Sequence, residues 1–317
     1  MSDPTDGPIA EIVLQKAAEC IQAGQLVAFP TETVYGLGAD ATNAEAVAAI
    51  YAAKDRPSFN PLIIHVTSLE AAEQLVVFDD RARTIAEAHW PGALTLVLPR
   101  RKDCPVSLLA GGGLDTLAVR VPAHTLAQRF LREANVPIAA PSANRSGSVS
   151  STTAEHVRAS LGGAVDMVLD DGPCQIGLES TIIDLTGDTP TLLRAGGVTI
   201  ELLERQIGEI QIATDDDTAP KAPGMLSRHY ATSIPLRMDA LELRDGEALL
   251  AFGGRTLGPA PAVCNLSRGG DVKEAAANLF DMMRQLDKPE FTGIAVMEIP
   301  ETGLGRAIND RLRRACQ

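Results

Sequence analysis

Five apolar runs in this chain begin or end at proline: QLVAFP (25–30), PLIIHV (61–66), LTLVLP (94–99), LAVRVP (117–122) and VPIAAP (136–141). Each is too short for an ordinary helix, and proline is excluded from the middle of a central strand. Each therefore reads as a short buried strand stopped near its tip. MVLDDG (167–172), TIIDL (181–185) and TLLRAGG (191–197) continue the series. Helical patterns lie between the strands. Ile9, Val13, Ala17 and Ile21 predict a helix over 9–23, with Gly24 as its stop. Asn43 can cap an Ala-rich helix over 44–54, and Thr152 with Glu155 forms a capping box for a helix over 153–161. The stretch PTETVYGLGAD (30–40) reads as a polar, Gly-containing loop. Several strands follow one another directly, which predicts an α/β domain with a mixed sheet rather than a strict βαβ array.

The character changes over residues 208–233, which hold an acidic run and little periodicity. They read as a linker long enough to have a function. Beyond it, IPLRM, EALLAF, APAVCNL and FTGIAVMEI are strand-like; Asp271 caps a helix to about 285, and a last helix runs over about 304–314. That alternation predicts a smaller Rossmann-like α/β domain over 234–317, after a first domain over 9–207.

Charge limits the partners. The chain has 28 Lys and Arg against 41 Asp and Glu, net −13, and residues 1–213 alone carry −11. Aromatics are only 3%. Such a chain is a poor non-specific nucleic-acid binder, which argues against a stable grip on RNA. The cysteines, Cys20, Cys104, Cys174, Cys264 and Cys316, include no CxxC pair, so zinc ribbons and redox motifs are unsupported. The start lacks the apolar core of a signal peptide, and no apolar stretch approaches the ~20 residues of a membrane span. A cytoplasmic protein is the expectation.

Familiar ATP motifs are missing, but polar residues gather in loops beside the apolar strands. Lys54, Asp55 and Arg56 stand at a helix end, where a cation also suits the helix dipole. APSANRSG (140–147) supplies Ser142, Asn144 and Ser146, and LESTIID supplies Ser180 and Thr181. Arg194 precedes two glycines. Arg120 lies within LAVRVP; pointing inward it needs a carboxylate or phosphate, and pointing outward it is an ordinary strand residue. His65 has the setting of a satisfied core histidine, whereas His229 lies in the linker, where burial is not expected.

The motifs FPTETVYGLGADA, KDRPSFNPLIIHV, PGALTLVL, LAVRVPAH, PIAAPSANRSG, ESTIIDL, LLRAGG and PGMLSRHYA occur in this order. Together they resemble the threonylcarbamoyl-AMP synthase family in its long, two-domain form. The resemblance implies a YrdC-like twisted mixed sheet with flanking helices. It implies a nucleotidyltransferase that makes L-threonylcarbamoyl-AMP and pyrophosphate from L-threonine, bicarbonate and ATP, with Mg²⁺ on the ATP phosphates and no metal ligand from the protein. The product then goes to a separate transferase acting on adenosine 37 of tRNA. By the same resemblance, Thr33, His65, Arg120, the Ala140 backbone and Ser180 hold threonine. Arg56, Asn60, Thr116, Ser142, Asn144, Ser150, Arg194 and Tyr230 contact ATP, and Lys54 and Arg56 are the catalytic cations facing the phosphates. Tyr230 would bring the linker over the site as a lid. Asp55 stands where the family commonly has Gly, Ser151 and Ala195 where it has Pro, and Leu226–Ser227 where it has a basic, aromatic pair. Three other readings stay in view: an RNA-binding module, a carbamoyl transferase of the hydrogenase-maturation type, and a regulatory nucleotide binder. The absent CxxC pairs weigh against the second.

Overall fold

A computed structural model describes residues 8–213, 222 and 229–316. Helix α1 (Pro8–Gln22) leads into strand β1 (Val27–Phe29), and β2 (Gly36–Asp40) returns antiparallel beside it. This corrects the loop expected over 30–40. Its glycines permit close packing of a strand: a Cβ on Gly38 would lie 2.9 Å from both Ile138 Cγ2 and Phe29 Cε1. Next come α2 (Ala44–Lys54), β3 (Ile63–His65), α3 (Leu69–Glu73), α4 (Asp80–His89), β4 (Leu94–Pro99) and β5 (Thr116–Arg120). Then follow α5 (Thr125–Ala134), β6 (Ile138–Ala139), α6 (Ala154–Leu161), β7 (Met167–Val168), β8 (Thr181–Asp184), β9 (Thr191–Arg194), α7 (Ile200–Ile207) and β10 (Gln211–Ile212).

These ten strands form one mixed sheet in the order β10-β9-β8-β4-β5-β3-β6-β2-β1-β7. Strand β10 pairs parallel with β9, so the first residues of the expected linker extend this sheet. Most of the remaining linker, including Leu226 and Ser227, lies outside the described residues. Asn43 caps α2 as expected, its side chain accepting from the amides of Glu45 and Ala46. The cap of α6 is one residue later than the predicted box. Thr153, not Thr152, accepts from His156 N, while Thr152 Oγ1 faces the His156 ring.

A second sheet contains β11 (Leu236–Arg237), β12 (Glu247–Ala251), β13 (Val263–Asn265) and β14 (Gly293–Val296), in the order β11-β14-β12-β13 and parallel throughout. Helices α8 (Val272–Leu286) and α9 (Leu304–Ala315) accompany it, giving the expected smaller Rossmann-like α/β unit. The two sheets share a core: Val34, Val149, Leu178 and Tyr230 pack in one apolar cluster with Leu279, Phe280, Met283 and Leu312. Among the described residues, no helix is long and apolar enough to cross a membrane.

Candidate active site

The large sheet delivers its polar residues to one place because β3 and β5 end in register where the antiparallel β6 begins. His65 lies opposite Arg120 on one side and Ile138 on the other. Arg120 points inward, 3% exposed. Its Nη1 donates to Thr33 Oγ1 at 2.9 Å, its Nη2 to Glu32 Oε1, and its Nε to the Gly92 carbonyl at 3.2 Å. Glu32 accepts from Ala123 N with its other oxygen at 3.1 Å. The guanidinium is thus aimed by a carboxylate, and Glu32 is a site residue absent from the sequence reading. Thr33 is held in turn by Thr31, whose hydroxyl is 2.7 Å from the Thr33 hydroxyl.

The second corner is the SAN loop after β6. Lys54, 1% exposed, sends its Nζ to the carbonyls of Ser142 (2.6 Å) and Asn144. The ammonium therefore braces the loop that presents Ser142. Burial, then the neighbouring Arg56 charge, lowers the Lys54 pKa well below its usual value. Asn144 donates to the Arg145 and Ser148 carbonyls, and among the described residues its own buried Oδ1 accepts no hydrogen bond. Arg56 Nη2 donates to Asn60 Oδ1 at 2.6 Å and to the Pro61 carbonyl at 3.0 Å. The residue between the two cations, Asp55, caps α2 in the left-handed conformation with φ 52°. That conformation explains why glycine suits this position.

The third corner forms where β8 and β9 meet. Arg194 donates to the Ser180 carbonyl from Nε (3.1 Å) and Nη2 (3.0 Å), and from Nη2 also to Ser180 Oγ (3.2 Å). Ser180 Oγ shares a 2.7 Å hydrogen bond with Thr95 Oγ1. Gly196 makes the packing possible: a Cβ there would come within 2.3 Å of the Glu179 carbonyl oxygen. Ser150 donates to Glu179 Oε1 at 2.5 Å.

Between these corners lies a cavity with about 510 Å³ of empty space, its open mouth included. Thr33, Arg56, His65, Arg120, Ala140, Ser142, Ser180, Arg194 and Tyr230 all line it. Five expected site residues do not. Lys54, Asn144 and Ser150 stand behind the wall in the bonds just given, and Asn60 stands behind Arg56. Thr116 occupies the far end of β5, roughly 13 Å from Arg120 by strand rise. The wall also holds Glu179 and His229. His229 is buried, contrary to its expected exposure in the linker, because its ring packs 4.0 Å from the Tyr230 ring.

The electrostatics favour an anion. Burial pushes the Arg56 guanidinium down to about 10, with a further downward contribution from Arg194, and burial does the same for Arg194. Cations forced together out of water gain from an added negative charge. Burial, and then Arg120, lowers His65 to about 3, so its imidazole is neutral at pH 7. For Glu179, burial alone would raise the pKa, but Arg311, Arg194 and the Ser150 hydroxyl hold it at about 2. Among the described residues, no group of three or more His, Cys, Asp or Glu could hold a metal ion.

A mixed sheet with cations, Ser hydroxyls and a neutral histidine around one cavity defines a YrdC-like protein with an anion-accepting site. Residues 19–196 match the Sua5/YciO/YrdC family model, described as "Telomere recombination", and residues 198–317 match the threonylcarbamoyl-AMP synthase C-terminal domain. The chain is 41% identical to a Bacillus subtilis threonylcarbamoyl-AMP synthase, spanning 95% of this chain and 92% of that one. It is 43% identical to the Pyrococcus abyssi threonylcarbamoyl-AMP synthase, over 97% and 95%. The crystal structure of P. abyssi Sua5 complexed with L-threonine superposes with a TM-score of 0.89 at 41% identity, covering 96% of this chain and 94% of that one. The chain belongs to the threonylcarbamoyl-AMP synthase family, and it is an enzyme.

Proposed function

We propose that the chain joins L-threonine, bicarbonate and ATP into L-threonylcarbamoyl-AMP and pyrophosphate, the activated donor for N6-threonylcarbamoylation of tRNA adenosine 37. The observation that carries this reading is the gathering of Arg56, Arg120 and Arg194 around one cavity. The amine of threonine takes up the bicarbonate carbon as a carbamate, releasing water. A carbamate oxygen then attacks the α-phosphorus of ATP, and the bond to pyrophosphate breaks. Both reactants are anions, so the protein's task is charge compensation and alignment rather than strong base catalysis.

Arg120 takes the threonine carboxylate, with Thr33, neutral His65, Ser180 and the Ala140 backbone around the rest of the amino acid. Arg56, Ser142 and Arg194 take the phosphates. Asn60 and Lys54 hold Arg56 and the SAN loop in place, and Asn144 Oδ1 offers an acceptor. Tyr230 covers the nucleotide, while Ser150 lies beyond the wall. The Thr116 contact requires the nucleotide to run on along the β5 side. ATP enters as its Mg²⁺ complex, with the metal on its phosphates. Excluding water protects both the carbamate and the mixed anhydride from hydrolysis. The acidic total charge suits an enzyme that passes a small adenylate to a separate transferase and does not itself grip tRNA.

Arg56→Ala tests the phosphate role. Pyrophosphate release with threonine and bicarbonate should fall by about 100-fold or more while circular dichroism stays that of the parent. A folded variant releasing pyrophosphate at the parental rate removes Arg56 from the mechanism.

A further inference from the structure

Arg311 is a large charged side chain with 0% exposure, on a helix of the small sheet, far from the cavity in sequence. Its Nε donates to Glu179 Oε2 at 3.0 Å and its Nη1 to Asp310 Oδ2 at 2.8 Å. Its guanidinium carbon lies 5.4 Å from the centroid of the Tyr230 ring, within cation–π range. The Tyr230 ring is also stacked on Phe280 of α8, with centroids 5.4 Å apart and planes 19° apart. Glu179 and Tyr230 both line the cavity; Arg311 does not. Tyr230 has φ 63°, a conformation that a bulky residue keeps only when its surroundings hold it.

We propose that Arg311 is a positioning residue for the nucleotide: it neutralises Glu179 from behind the cavity wall and pins the Tyr230 ring over the site. The proposal rests on the nucleotide reading above and extends it to the small sheet, whose helix α9 becomes part of the synthase site. Glu179 is a buried anion beside the place proposed for a triphosphate. Arg311 and Arg314 together balance Glu179 and Asp310, so the group is neutral in sum; without Arg311, Glu179 repels the nucleotide and competes for the charge of Arg194. A second bond ties the same region down: Arg284 of α8 donates to the Val149 carbonyl, next to the Ser150 that holds Glu179.

A double-mutant cycle of Arg311→Met and Glu179→Gln tests this, with Arg311→Lys as the conservative control. The readouts are KM for ATP, kcat, and calorimetric binding of α,β-methylene-ATP. Arg311→Met should raise KM and weaken analogue binding about tenfold or more, with kcat much less changed, and Arg311→Lys should recover most of the loss. Adding Glu179→Gln to Arg311→Met should restore analogue affinity to within about threefold of Glu179→Gln alone, the signature of coupled charges. A folded Arg311→Met with unchanged KM and affinity overturns the proposal, as does a double variant no better than Arg311→Met. If Arg311→Met does not fold, the double variant decides: analogue affinity within about threefold of Glu179→Gln alone supports the proposal, and affinity about tenfold or more weaker than Glu179→Gln overturns it. Wild-type protein that binds the analogue and obeys this cycle, yet makes no adenylate, would refute the reaction and leave the Arg311 role standing.

Discussion

Arg120 and Lys54 divide the work of buried cations in different ways. Arg120 could not be oriented from sequence, because one residue in LAVRVP faces either side of a sheet. Its register opposite His65 and its bond to Glu32 decide for the inside. Glu32 itself was hidden in a stretch read as a loop. Lys54 was legible as a functional cation but not as a brace; only the fold brings its ammonium to the carbonyls of the SAN loop. Arg311 carried no signal at all, since an arginine in a charged helix looks like a solvated one. The buried histidines make a prediction at this scale. Burial lowers His65 and His229 from 6.5 to about 3, so the unfolded chain takes up protons first as the solution is acidified. Stability should hold above pH ~6.5 and decline as pH falls toward 3, by up to about 1.4 kcal/mol per pH unit for each histidine. Denaturant unfolding at pH 7, 6 and 5 reads that slope, to which His124 and His156, also lowered by burial, contribute in the same direction, and His65→Gln should reduce it. A flat profile in the parent would contradict the burial argument.

At the level of elements, the Pro-stopped runs located β1, β3, β4, β5 and β6 because short apolar runs can satisfy a buried sheet and little else. Strand β2 was missed because glycine served as a loop signal where it actually permits contact with Phe29 and Ile138. Helices α3, α4, α5 and α7 were not read; α4 buries only Ala82, Ile85 and Ala86 and α7 only Ile200 and Leu203, stripes too narrow to mark a period, whereas α5 buries a broad face from Leu126 to Ala134 that the reading passed over. The turn between α2 and the site yields a clean test. Asp55 holds φ 52° at the C-cap, and its carboxylate stands at the negative end of the helix dipole. Asp55→Gly removes both penalties and should stabilise the protein by about 0.5–1 kcal/mol, read as a higher denaturant midpoint with unchanged slope. A lower midpoint would mean that the Asp55 side chain makes a favourable contact.

Across the whole molecule, the −13 charge is a poor guide to the site, because the site inverts it. Three arginines line the cavity, its lining carboxylate Glu179 is paired with Arg311, and Glu32 behind the wall is paired with Arg120. The changing pattern after residue 208 suggested two α/β units, although β10 just beyond it still belongs to the large sheet. Their joint core was not legible, because a contact such as Tyr230 on Phe280 spans two separately patterned segments. The central claim is that this cation-lined cavity makes one particular mixed anhydride. Mass spectrometry of the products from ATP, bicarbonate and threonine, quenched within seconds and with equimolar serine as competitor, tests it directly. The account predicts threonylcarbamoyl-AMP, with equimolar pyrophosphate, in a bicarbonate-dependent yield. Pyrophosphate formed with no threonylcarbamoyl-AMP, or no turnover in protein that binds both ATP and threonine, would contradict it.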